Sequence, residues 1–418
     1  MNAHTLLSDA QKETDKLFAL VRPDWLYHRP IAERHRIVFY LGHLEAFDWN
    51  LLRPHMRNVE AFHADFDRLF AFGIDPVDGG LPSDVPSDWP SVAEIRGYNR
   101  RVREALDGAE HDVLLLHMAL EHRLMHAETL AYMLHQLPLE AKCAQAQAPV
   151  PRNETVHGEK IEVPAGRATL GLRRDAGFGW DNEFEAHSAE VPAFAIDRYK
   201  VTNGDFLRFM EAGGYRDPSL WDAAAWQWKA GANITHPVFW QRAGNEWRYR
   251  TMFDEIPLPL DWPVYVSQAE ASAYAKRAGL RLPAESEWHR AAYGTPEGPE
   301  RQFPWGDEPP GPRHGYFGFA RWDPAPVNAF PCGRSAFGVD GLLANGWEWT
   351  STPFAPFPGF EAHPSYAGYS ANFFDGKHYV LKGGSTRTAA CMLRRSFRNW
   401  FQPHYQYVYA GFRCARGD

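Results

Sequence analysis

The chain has 418 residues, 44% hydrophobic and 23% charged, with 44 Lys plus Arg against 52 Asp plus Glu for a formal net charge of −8. That length exceeds what one hydrophobic core usually supports, so two globular domains are expected. The acidic balance and the lack of any dense Lys/Arg run exclude a nucleic-acid footprint, and no apolar stretch of about 18 residues is present to span a bilayer.

The opening MNAHTLLSDAQKETDK has no apolar core like a signal peptide's. Cys143, Cys332, Cys391 and Cys414 are widely spaced, with no CxxC pair, so reduced thiols and a cytoplasmic location are expected. Small molecules are the expected partners. From residue 3 to about 137, apolar positions recur at three and four, which predicts helices at 4–21, 31–55, 91–107 and 111–137, with a shorter one at 58–71. SDWPSVAEIRGYNRRVREAL supplies a capping serine with an acidic residue three positions on. A helical bundle over 1–142 follows. The Ala-, Gln- and Pro-rich stretch around 143–155 is the linker. Beyond it, in 156–418, short strands and turns leave only two convincing helices, VTNGDFLRFMEAGG and SQAEASAYAKRAG, and 14% aromatic residues, mostly late in the chain, suggest a loop-rich α+β domain.

The helix HDVLLLHMALEHRLMHAETLAYMLHQL carries His122 and His126 four residues apart, so both imidazoles share a face, about 5–6 Å apart at Cβ. Leu115, Ala119, Thr129 and Met133 lie on that face, which therefore points inward. In FYLGHLEAFDW, His43 shares its face with Phe39, Tyr40 and Phe47 and becomes the third candidate ligand. Three neutral imidazoles leave coordination positions open, as a catalytic metal requires. With 19 histidines in the chain, an i,i+4 pair on an apolar helix is often a packing feature, so spacing alone leaves both readings open. His117 and His135 fall off the shared face, and His28, His35 and His55 read as surface or packing residues.

LGHLEAFDW followed by EHRLMHAETLAYML resembles the DinB-like iron domain of ergothioneine and ovothiol sulfoxide synthases. VTNGDFLRFM, RLPAESEWHRAAYG, FPWGDE, NGWEWTSTPF, LKGGSTR and AGFRCAR resemble the formylglycine-generating-enzyme-like fold, related to C-type lectins, that completes those enzymes. The resemblance implies Fe(II) on His43, His122 and His126, dioxygen, and hercynine as substrate, with Asn399 and Trp400 of SFRNWFQPHY holding its carboxylate and trimethylammonium. Phe401 stands where the family has an acidic residue, and it is expected in an aromatic cage with Tyr405 or Tyr407. Tyr366 and Tyr369 fall in the stretch comparable to the family's proton-donating tyrosine.

Two departures bear on the second substrate. Met125 replaces a glutamine that bonds the substrate imidazole, and GIDPVDGGLPSDVPSDWP lacks the arginines of members that use γ-glutamylcysteine. The loop acids Asp75, Asp78, Asp84 and Asp88 would suit sugar hydroxyls, as in the selenoneine synthase branch with its selenosugar donor. A thiol donor (cysteine or γ-glutamylcysteine) and a zinc-dependent DinB-like thiol transferase are the alternatives. Shared fold does not transfer activity, and NGWEWT and GGSTR read equally as organisers of the fold.

Overall fold

Asp112 sets the start of a 23-residue helix: its carboxylate accepts from the backbone N–H groups of Leu114 and Leu115 at 2.8 and 3.3 Å. The computed structural model describes residues 3–72, 81–143, 156 and 158–417, which form two units, Met1–Ala146 and Gln147–Asp418.

The first unit is all-α, with α1 (Ala3–Ala19), α2 (Ile37–Leu52), α3 (Ala64–Phe72), α4 (Val92–Leu106) and α5 (Val113–His135). Helix α2 packs against α3, α4 and α5, while α1 runs along α5. That central place explains why 14 of its 16 residues are buried. Helix α4 starts at the expected box: Ser91 accepts from the Glu94 N–H at 3.3 Å and Glu94 accepts from the Ser91 N–H at 2.9 Å.

Two predicted helices are shorter than expected. Helix α2 begins at Ile37 and not near residue 31, because Arg36 is extended (ψ 156°) and its guanidinium is held by the Asp84 carboxylate and the Tyr27 carbonyl, both outside the helix. Helix α3 starts at Ala64 and not at 58, since Asn58 has φ of +58° and cannot begin a right-handed helix. Asp84, offered above as a partner for sugar hydroxyls, is a buried structural pin. It accepts from Arg29, from Arg36 Nε at 2.7 Å and from Trp89 Nε1 at 2.7 Å. Asp88 takes the Val85 N–H at 2.7 Å and closes a turn. Asp75, Asp78 and nearly all of the expected linker lie outside the described residues.

The second unit is irregular α+β. In chain order come β1 (Lys160–Val163), β2 (Gly166–Leu170), β3 (His187–Val191), β4 (Phe194–Asp197), α6 (Asn203–Glu211), α7 (Ala223–Gly231), β5 (Trp240–Ala243), β6 (Glu246–Arg250), β7 (Glu255–Pro257), α8 (Gln268–Arg277), α9 (Glu285–Tyr293), β8 (Trp347–Pro353), β9 (Tyr379–Lys382), β10 (Asn399–Phe401), β11 (Ala410–Gly411) and β12 (Ala415–Arg416). Among the described residues four small sheets result, ordered β1-β4-β12, β10-β9-β8-β11, β2-β3 and β5-β6-β7. Helices α7 and α9, nine residues each, exceed the two expected. Helix α9 gives Trp288, Ala291, Ala292 and Tyr293 to a core with Phe194, Ile196 and Leu342.

Glu348, from NGWEWT, is fully buried and is a hub. It receives Arg413 Nε at 2.6 Å, Lys200 Nζ at 3.0 Å and Trp288 Nε1 at 3.0 Å, so this motif ties β8 to α9 and to the carboxyl-terminal AGFRCAR segment. Its role is architectural.

Candidate metal centre and substrate-binding residues

The i,i+4 spacing on α5 and the central position of α2 bring three imidazoles to one place. Ring centroids lie 5.2 Å apart for His43 and His122, 4.9 Å for His43 and His126, and 4.5 Å for His122 and His126. One nitrogen from each ring falls within 4.8 Å of the others, and His43 Nε2 is 3.2 Å from His126 Nε2. Aromatic rings fix their orientations: Phe47 stacks on His122 at 3.4 Å and Phe39 on His43 at 4.7 Å.

His43 Nδ1 is 2.6 Å from the Phe70 carbonyl. A carbonyl only accepts, so the proton sits on Nδ1 and the Nε2 lone pair faces the other imidazoles. Burial pulls His43 down to about 4, and it holds His122 and His126 well below the usual histidine range, helped by the neighbouring rings and by Arg123. All three are therefore neutral at pH 7, with lone pairs available. This donor set fits a divalent transition metal, with His43 oriented by a backbone carbonyl as metal-bound histidines usually are.

Around the constellation is a buried ion cluster. Arg123, 1% exposed, bonds Glu45 at 2.8 Å, Asp48 at 2.6 Å and the Leu44 carbonyl at 3.0 Å, and Arg103 adds a second cation on Glu45 at 2.6 Å. Arg123 follows His122 in sequence, and Glu45 and Asp48 follow His43 on α2. Met125, half-buried on α5 beside His126, has no group able to donate a hydrogen bond to a substrate.

In the second unit, Tyr366, Tyr369 and Trp400 share one aromatic cluster. Tyr369 stacks on Trp180 at 4.1 Å and meets Trp400 edge-on at 5.3 Å and Tyr366 at 5.7 Å. Phe354 lies flat on Trp400, 4.3 Å away with a 7° interplanar angle. Phe401 does not join it. Trp400 pairs with Val380, while Asn399 and Phe401 pair with Leu381 and Tyr379; successive strand residues face opposite sides, so Asn399 and Phe401 point away from Trp400. Phe401 stacks on Tyr405 at 5.0 Å, with Tyr407 5.4 Å beyond. The expected single substrate cluster is thus divided between two faces of β10. The Trp400 N–H donates to the Asn399 side-chain oxygen at 2.9 Å, which leaves the Asn399 amide N–H groups as its donors.

Trp180, Asp181, Ser370 and Phe373 are also part of this region and were not expected. Ser370 donates to Asp181 at 2.6 Å, and burial together with the Asp181 charge raises the Tyr366 hydroxyl above its ordinary range. Phe354 closes the WEWTSTPF motif and was visible there; FGWDNEF offered only a Trp-Asp pair in a turn.

These features define a two-unit chain: an all-α unit with a buried three-histidine site, followed by an irregular α+β unit with an aromatic cluster. Residues 145–417 match the sulfatase-modifying factor enzyme 1-like domain. The chain is 38% identical over 338 residues to the hercynine oxygenase of Mycolicibacterium thermoresistibile (78% of this chain, 75% of the relative) and 39% identical over 335 residues to that of Mycobacterium tuberculosis (78% of each). It is 27% identical to ergothioneine biosynthesis protein 1 of Neurospora crassa, across 94% of this chain and 55% of the relative. The chain belongs to this family, the ergothioneine-type sulfoxide synthases. Among the described residues no helix is long and apolar enough to cross a membrane.

Proposed function

We propose that the chain catalyses oxidative C–Se or C–S bond formation on the imidazole of hercynine, using Fe(II) and dioxygen, with a selenosugar as the favoured chalcogen donor. The observation that carries this reading is the convergence of three neutral imidazoles in a chain 38% identical to a hercynine oxygenase. Fe(II) on His43, His122 and His126 supplies open positions for dioxygen and for a soft chalcogen anion. The protein's own contribution is orientation and proton control. Phe70 holds His43 in its ligating tautomer, and the Phe39 and Phe47 rings packed on His43 and His122 limit access of water. The Trp400 ring attracts the trimethylammonium group, while Asn399, on the opposite side of β10, takes no part in that contact. Tyr366, kept protonated, is the proton donor, with Tyr369 packed beside it.

Asp84 is taken up by Arg29, Arg36 and Trp89, so the cations bear on the choice of donor. Arg29 and Arg36, the guanidinium groups that meet the loop at Asp84, are both engaged there, and the Met125 side chain has no hydrogen-bond donor. A dicarboxylate thiol such as γ-glutamylcysteine would lack a counter-charge from them, whereas an uncharged selenosugar needs none. The test is a competition: anaerobically loaded Fe(II) protein receives hercynine with equal selenosugar, cysteine and γ-glutamylcysteine, then oxygen, with products read by mass spectrometry and oxygen uptake recorded. Selenium product formed with oxygen uptake is expected. Dominant γ-glutamylcysteine coupling overturns the donor assignment, and zinc-supported coupling without oxygen uptake overturns the oxygenase reading.

A further inference from the structure

In the second unit a cavity of about 530 Å³ opens where α6 and α7 end, lined by Met210, Tyr215, Arg216, Lys229, Arg242 and Trp247 among others. Lys229 is only 8% exposed. Its ammonium lies 4.8 Å from the Trp226 ring centre and 5.8 Å from that of Tyr215, and among the described residues no carboxylate is within ion-pair distance of it. A buried cation without a counter-ion is costly, and two aromatic faces offset only part of that cost.

The ordinary reason for a lysine in a last helical turn does not apply. The carbonyls of Trp228, Lys229 and Ala230 are already taken by the N–H groups of Ala232, Ile234 and Asn233. Nor does Glu270 serve, since its carboxylate behind Tyr215 is occupied by the Tyr215 hydroxyl and by Ser267. The other two cations of the cavity are also uncommitted to acids. Among the described residues Arg216 has no ion pair, and Arg242 bonds only the Gly244 carbonyl, with its guanidinium 5.0 Å over Trp247. Glu211 is the cavity's carboxylate and pairs with none of the three.

We propose that this cavity binds a small organic oxyanion, a phosphate or carboxylate, with Lys229, Arg216 and Arg242 receiving the charged group and Trp247 and Met210 the apolar remainder. The ligand would supply the counter-charge that Lys229 lacks, and the two guanidinium groups favour planar or tetrahedral oxyanions through paired N–H donors. The site lies wholly within the second unit and involves none of the residues assigned to hercynine or metal.

Calorimetric titration of the iron-loaded full chain with inorganic phosphate, phenyl phosphate and benzoate tests this. Phenyl phosphate is expected to saturate one site more tightly than inorganic phosphate, and its margin over benzoate identifies the preferred anion. Lys229→Met, which keeps the apolar stem on the rings, and Arg216→Gln, at an exposed position, should each weaken phenyl phosphate at least tenfold with hercynine turnover unchanged. Absence of saturable binding by all three probes, or wild-type affinity in the folded Arg216→Gln and Lys229→Met proteins, would overturn the assignment.

Discussion

The Phe70 carbonyl accepts the Nδ1 proton of His43 at 2.6 Å, and Gly42, one residue before that histidine, is pressed against the same phenylalanine: a Cβ there would fall 2.5 Å from the Phe70 ring. Gly42→Ala should therefore push α3 away and remove the bond that fixes the His43 tautomer. Metal affinity is expected to fall about 10- to 100-fold, the usual cost of losing such an outer partner, while far-ultraviolet circular dichroism stays helical. Unchanged iron affinity would show the Phe70 contact to be incidental.

Replacing a ligand itself should do more. His43→Ala, His122→Ala and His126→Ala are each expected to lose iron and turnover together, because two remaining imidazoles hold an exchangeable ion weakly. Elemental analysis of purified His122→Ala checks this, and full occupancy there would refute the three-histidine assignment.

Trp400→Ala should weaken hercynine about tenfold and histidine far less, since only hercynine has a permanent cation for the ring face. Phe401→Ala, on the opposite side of β10, should leave the hercynine-to-histidine preference unaltered. Equal losses of both ligands in Trp400→Ala would rule out a trimethylammonium role.

Asp84→Ala should damage stability and not donor choice, leaving Arg29 and Arg36 without their shared carboxylate. A loss of about 2 kcal/mol or more in denaturant unfolding is expected. A changed donor preference with normal stability would restore Asp84 as a substrate contact.

Burial pushes the Asp323 carboxyl up to about 7 from its ordinary 3.8. Between those values the folded chain holds a proton that the unfolded chain has released, so stability falls as pH rises through that window, by up to about 1.4 kcal/mol per pH unit. Asp323→Asn should thus stabilise the protein at pH 8, by about 1 kcal/mol or more, and do little at pH 4. Equal effects at both pH values would show that the carboxyl does not titrate as described.

The helical unit was legible because its signals are local: a Ser–Glu box at 91 and 94, and apolar repeats long enough to count. The pairing of His122 with His126 followed from helical geometry alone, and His43 was offered by its own inward face, whereas the approach of α2 that brings the three together is tertiary. What escaped was non-local. Arg36 is extended because Asp84, 48 residues away, holds it, and nothing near Arg36 announces that. Asn399, Trp400 and Phe401 read as one recognition segment, yet strand alternation divides them; their β pairing depends on residues 379–381, beyond any local window.

Arg123 is clamped by Glu45 and Asp48 immediately beside the histidines, so α5 is bolted to α2 by charge at the level where the imidazoles meet. Rotation of either helix would break those bonds before it moved the rings apart. The three imidazoles are thus held together by contacts of the protein itself, a different arrangement from small zinc domains whose folding is driven by the metal. Chelator treatment should accordingly leave the helical circular dichroism of the first unit unchanged.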